Sequence, residues 1–145
     1  MSSQLGDAEL VRRLLLSCIP GVKDSLLRLE RERVAIFGDI GVPTEVGAYS
    51  YVSEVFLDGF LVPVLRAEVV EPGLVQSGAF FIEELLCAGR DSLLELVRLR
   101  IVDRLLGFPE LWLVFRDFAG VKLRRLVAGQ AEYYDWPYSN SGPLG

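Results

Sequence analysis

Apolar residues recur at three- and four-residue spacing through most of the chain, the period of a helix that buries one stripe. Leu10, Val11, Leu14, Leu15 and Cys18 make the first stripe, with Asp7 placed to cap it and Pro20 and Gly21 to end it. Val22 to Ile36 predicts a second helix that faces inward through Val22, Leu26, Leu29 and Arg33. The breakers Gly38, Asp39, Gly41 and Pro43 then form a loop, and Thr44 stands where the next helix needs an N-cap. That helix carries Val52, Val55, Phe56, Gly59 and Phe60, and Pro63 makes the stretch to Val70 either a kinked continuation or a short separate piece.

After the turn Glu71-Pro72-Gly73, the positions Leu74, Phe81, Ile82, Leu85 and Leu86 predict a helix closed by Gly89 in the left-handed conformation. Ser92 and Glu95 have the spacing of a capping box, and Gly107-Phe108-Pro109 is a helix stop. The helix between them is expected to bury Leu94, Val97, Ile101 and Leu105. Leu111 to Phe115 has the composition of a brief strand, although Pro109 as a first helical residue favours a helix. Gly120 separates that segment from Val121 to Ala128, and beyond Gly129 the periodicity stops. The prediction is an all-α fold of about six to seven helices, as a compact antiparallel bundle or as stacked helix pairs. Residues 1–129 read as one helical domain and 130–145 as an aromatic, acidic C-terminal tail with a disordered end.

A length of 145 residues suits one domain able to fold without metals or disulfides, and 51% apolar with 24% charged residues is a globular balance. Charged residues break every apolar stretch before the roughly 18 residues of a bilayer span. Asp7, Glu9, Arg12 and Arg13 interrupt what would be a signal peptide. A cytoplasmic protein is therefore expected, not a membrane protein. The net charge of -5 argues against nucleic acid as a partner and favours a basic protein. A mean hydropathy of +0.35 is high enough that a homodimer or a docking face is also considered.

The chain contains no histidine, which removes the commonest general base and most zinc sites. Cys18 and Cys87 stand apart in apolar helical text and read as reduced core thiols. Glu83 and Glu84 are neighbours on different helix faces, which does not suit paired-carboxylate catalysis. The glycines Gly38 and Gly41 lack the lysine and hydroxyl of a phosphate loop. Arg116, Lys122, Arg124 and Arg125 are the main basic concentration, read as cations gathered at the end of a helix by its dipole. No catalytic residue, metal ligand or cofactor site is predicted. The candidate binding residues are Glu132, Tyr133, Tyr134, Asp135, Trp136 and Tyr138, because tyrosine and tryptophan bury large areas with few rotatable bonds. The competing reading folds this segment back over the open end of the core.

Val52 to Leu106 carries a further pattern. Phe81-Ile82-Glu83-Glu84-Leu85-Leu86 fits an F-x-E-E-x-L helix, followed by the turn Gly89 to Asp91 and an apolar helix from Leu93. In this it resembles a family of short bacterial all-helical proteins thought to include toxin-immunity proteins. The chain departs from the family at Asp103, where a glutamate is usual. Tyr133 and Tyr134 beside Glu132 and Asp135 are similar in composition to the tyrosine pair and acids of immunity proteins that neutralise colicin nucleases. The resemblance implies an antitoxin-like binding role, and an acidic chain without catalytic residues suits that role as a non-catalytic module that occludes a basic toxin. The alternative is a structural or scaffolding subunit that oligomerises through an apolar helix face, and an enzyme would need a large cavity with convergent Asp, Glu or Arg side chains.

Overall fold

The computed structural model describes residues 5–37 and 45–133, and these form seven helices and no strand. They are α1 (Asp7–Cys18), α2 (Lys23–Phe37), α3 (Ala48–Arg66), α4 (Pro72–Cys87), α5 (91–107), α6 (Pro109–Phe115) and α7 (Val121–Tyr133). The fold is all-α, as the helical spacing requires. The segment that could have been a strand is α6, with Pro109 as its first helical residue. Thr44 lies outside the described residues, and α3 starts later, from Gly47.

Helix α3 is the hub, in contact with α1, α2, α4, α5 and α6. Its length of 19 residues and hydropathy of 1.2 reach those of a membrane span, whereas the sequence predicted that no stretch would. In the fold its apolar side is occupied: Val52, Phe56 and Leu61 are fully buried among the neighbouring helices. Glu54 and Asp58 stay on the exposed side, paired with Arg33 at 3.7 Å and Arg104 at 2.8 Å. Phe56 meets Phe81 of α4 at a centroid distance of 4.5 Å.

Residues Tyr51–Leu61 of α3 and Val97–Val102 of α5 are wound as π-helix, and the two wide segments touch each other. The amide of Val62 reaches back five residues to the carbonyl of Leu57, immediately before Pro63, which has no amide to donate. The wider turn changes which positions the buried stripe uses. Leu57 and Leu61 therefore take the core places expected for Gly59 and Phe60, which are exposed and half-buried. The helix runs through Pro63 and ends at Arg66 rather than near Val70. In α5 the same widening buries both Ile101 and Val102, and Leu93 replaces Leu94, which is exposed.

Three other sequence expectations change. Gly6, with extended backbone, is the N-cap of α1, and the Asp7 carboxylate instead meets Arg90 at 2.9 Å. Ser92 does not cap α5, which begins one residue earlier at Asp91, and its hydroxyl donates to Asp7. Cys87, at the end of α4, is exposed, while Cys18 is half-buried against the core and its thiol is pushed up by that burial. Gly89 closes α4 at φ +71° as predicted.

Helix α7 also continues through Gly129 to Tyr133, because Val127 and Ala131 are buried and hold it against the core. Lys122, Arg124 and Arg125 consequently lie in its first half, and its last turn has no cation. Packing, not the helix dipole, places them. Arg124 donates to the carbonyls of Arg116 at 2.7 Å and Ala119 at 3.0 Å, closing the α6–α7 turn. From α4, Glu83 accepts the Leu123 amide at 3.4 Å near the start of α7.

Candidate functional site

The aromatic segment singled out in the sequence is only partly described. Glu132 is exposed on the last turn of α7, and Tyr133 is the final helical residue. Tyr134, Asp135, Trp136 and Tyr138 lie outside the described residues, as does the expected disordered end.

A different set of residues converges between α1, α2 and the start of α3. No polar or charged residue is buried in the core among the described residues, and the half-buried network here joins three helices. Arg12, from the polar side of α1, donates through Nε to Glu30 Oε2 at 2.7 Å and through Nη2 to Oε1 at 3.3 Å. Tyr51, at the first π-helical position of α3, donates its hydroxyl to Glu30 Oε2. The helical spacing on α2 explains the placement: Leu26 and Leu29 face the core, and Glu30 follows at the edge of that stripe.

The charges in this network reinforce one another. The Arg12 hydrogen bond holds the Glu30 carboxyl below its ordinary range against the opposing effect of burial, and Tyr51 adds to it. Burial pushes the Tyr51 phenol up to about 12, with Glu30 contributing, and Glu30 raises the pKa of Arg12. At neutral pH Tyr51 keeps its proton and Glu30 already accepts from two donors. The arrangement positions groups firmly; it does not present a free base or nucleophile.

These residues border a groove with a cavity of about 380 Å³. Ala8, Val34, Val46 and Tyr51 supply apolar wall, and Glu9, Glu30 and Glu45 supply carboxylates against the single guanidinium of Arg12. The groove continues along α2, through the shared Glu30 and Val34, into a second hollow of about 400 Å³ walled by Leu27, Arg31 and Ala35. Val34 is 55% exposed and Ile36 64% exposed on this helix. Both volumes fall within the range of ordinary ligand sites. A smaller cleft of about 240 Å³ lies where the π segments meet, but its cations are engaged, Arg104 with Asp58 and Arg100 over the Tyr49 ring at 5.1 Å.

Set against protein-family models, curated proteins and solved structures, the chain matches none of them.

Sequence reasoning missed Arg12, Glu30 and Tyr51, whose contacts span 18 and 21 residues and leave no local pattern. Val34 was detectable. The inward stripe Val22, Leu26, Leu29 is buried as predicted, and Leu27 and Val34, seven positions apart, form a second apolar line that this stripe does not use. Arg33, placed on the inward stripe by the sequence, is half-buried and donates to Ser50 at 3.4 Å, which ties α2 to α3.

Proposed function

We propose that this chain is a non-catalytic protein-binding module, acting in the bacterial cytoplasm as an immunity protein that covers a basic toxin. The observation that carries the reading is the acid-rimmed apolar groove of α1 and α2 on a chain of net charge -5. Opposite charge raises the encounter rate of two proteins, and apolar wall supplies area that stays buried once they meet. In this reading the aromatic residues among 132–138 are additional anchors for the same partner. A second reading is favoured by the exposed Val34 and Ile36, which would be covered equally well if the chain assembled with itself or with a structural subunit.

Light scattering of the purified protein, alone and mixed with the product of the adjacent gene, separates the two. A monomer that forms a heterocomplex at low ionic strength, weakened as salt shortens the Debye length to about 10 Å at 0.1 M, supports the immunity reading. A homodimer that is indifferent to salt and to its neighbour supports the subunit reading and rejects the first.

A further inference from the structure

Resting on the binding-module reading, we propose that the groove between α1 and α2 receives a segment of a partner protein that inserts one arginine or lysine among Glu9, Glu30 and Glu45. An apolar side chain of the same segment lies against Leu27 and Val34.

The charge pattern selects a cation. Three carboxylates and one guanidinium line the first hollow, and the two-point pairing of Arg12 with Glu30 neutralises both, which leaves Glu9 and Glu45 as the excess negative charge. Glu9 leans on Arg13 only at 3.7 Å with both side chains mostly exposed, so it remains available to an incoming donor. The wall selects a cation on an aliphatic stem. Ala8, Val34 and Val46 face the cavity, and arginine and lysine bury their methylenes against such surface while the charged head reaches polar groups.

The second hollow selects a protein segment over a free amine. Leu27 and Val34 are seven residues apart on α2, about 10 Å along the helix axis. A single amino acid or a polyamine that satisfied the acidic end would leave this apolar length uncovered. Two or three consecutive residues, one cationic and one apolar, cover both ends at once. Arg31, which also walls the second hollow, disfavours a second cation there and sets the direction of the segment.

The test is an amide chemical-shift titration of the full chain with acetyl-Arg-Ala-Leu-amide, its citrulline counterpart, and acetyl-arginine amide. The arginine peptide is expected to shift Ala8, Val34, Val46 and Tyr51 in fast exchange, the citrulline peptide to leave them unmoved, and acetyl-arginine amide to bind several-fold more weakly. Glu9→Gln with Glu45→Gln is expected to weaken the arginine peptide about five- to tenfold. Glu68→Gln with Glu71→Gln, which removes the same charge from an exposed loop outside the groove, is expected to leave it unchanged. No shift with the arginine peptide, equal shifts with citrulline, or equal binding of acetyl-arginine amide overturns the proposal. A silent groove in a chain that still forms its complex with the neighbouring gene product discards the groove and leaves the module reading in place. A groove that binds the peptide in a chain that forms no such complex does the reverse.

Discussion

Glu83 lies across Gly120 so closely that a β-carbon at Gly120 would fall 2.3 Å from its carboxyl carbon and 2.6 Å from both oxygens. The glycine leaves room for a carboxylate from α4 to reach the first turn of α7, where it accepts the Leu123 amide. Helix N-termini expose unpaired amides and a positive dipole end, so this contact joins two helices through a polar bond.

Gly120→Ala is therefore expected to destabilise the fold by about 1 kcal/mol, the typical loss when a capping carboxylate is displaced. In a Glu83→Ala background the same change is expected to be neutral or mildly stabilising, because no side chain then occupies the space and alanine restricts the unfolded chain more than glycine does. Urea unfolding of the four proteins in this cycle gives the answer. Equal losses in both backgrounds would show that Gly120 is constrained by something other than Glu83.

Ser92 provides a second cycle. The spacing to Glu95 is that of a capping box, yet α5 starts at Asp91 and the Ser92 hydroxyl serves Asp7 of α1. Ser92→Ala should be coupled to Asp7→Asn by about 0.5–1.5 kcal/mol and additive with Glu95→Ala. Because the hydrogen bond from Ser92 is the first cause of the lowered Asp7 pKa, ahead of the opposing burial and of Arg90, Ser92→Ala should also raise that pKa, measurable by carboxyl carbon shifts during an acid titration. Coupling to Glu95 in place of Asp7 would restore the capping box.

Trp112 is fully buried in α6, and its indole Nε1 has no hydrogen-bond partner among the described residues. Removing the ring loses buried area, but replacing it with phenylalanine also removes an unsatisfied donor, which offsets part of the loss. Trp112→Phe is expected to lower stability by about 1–2 kcal/mol, less than the roughly 3–5 kcal/mol typical of truncating a large aromatic to alanine. Comparison of Trp112→Phe and Trp112→Ala by denaturant midpoint checks this, and equal losses would mean that packing alone holds the indole.

These contrasts show which information lies in local sequence. The inward stripes of α1, α2 and α4 were readable because Val11, Leu15, Leu26, Leu29, Phe81, Ile82 and Leu85 repeat at the helical period, and they are buried where the period puts them. The stripe of α3 slipped at Phe60, since a π turn changes the period without a sequence signature of its own, whereas Leu94 lies in the α-helical start of α5, where its neighbours Leu93 and Leu96 take the core. The end of α7 was misplaced because Gly129 resembles a stop, whereas burial of Val127 and Ala131 on either side outweighs the roughly 1 kcal/mol that a mid-helix glycine costs. The candidate groove was the least legible. Its polar network joins three helices, and only the off-stripe Val34 hinted at a second face on α2.

The same network gives a two-sided pH dependence. Tyr51 has a folded pKa of about 12 against an ordinary 10.0, so its contribution is complete below about pH 10 and is lost as pH rises towards 12. Glu30 has a folded pKa below its ordinary 4.5, so its contribution is complete above that value and is lost as pH falls through the folded pKa. At pH 7, Tyr51→Phe is expected to lose about 0.5–1.5 kcal/mol and Glu30→Gln, which leaves half-buried Arg12 without its carboxylate, about 1–2 kcal/mol. Burial is the first cause of the raised Tyr51 pKa, so in Glu30→Gln the phenol should titrate lower than in the parent but still above 10.0. Tyrosinate absorbance between pH 9 and 13, taken as the difference between each protein and its Tyr51→Phe counterpart because the chain has five tyrosines, follows the phenol, and urea midpoints follow stability at both extremes. Tyr51→Phe should flatten the alkaline fall and Glu30→Gln the acid one. An alkaline limb unchanged by Tyr51→Phe would mean that another group carries it and that the hydroxyl does not hold Glu30 in solution.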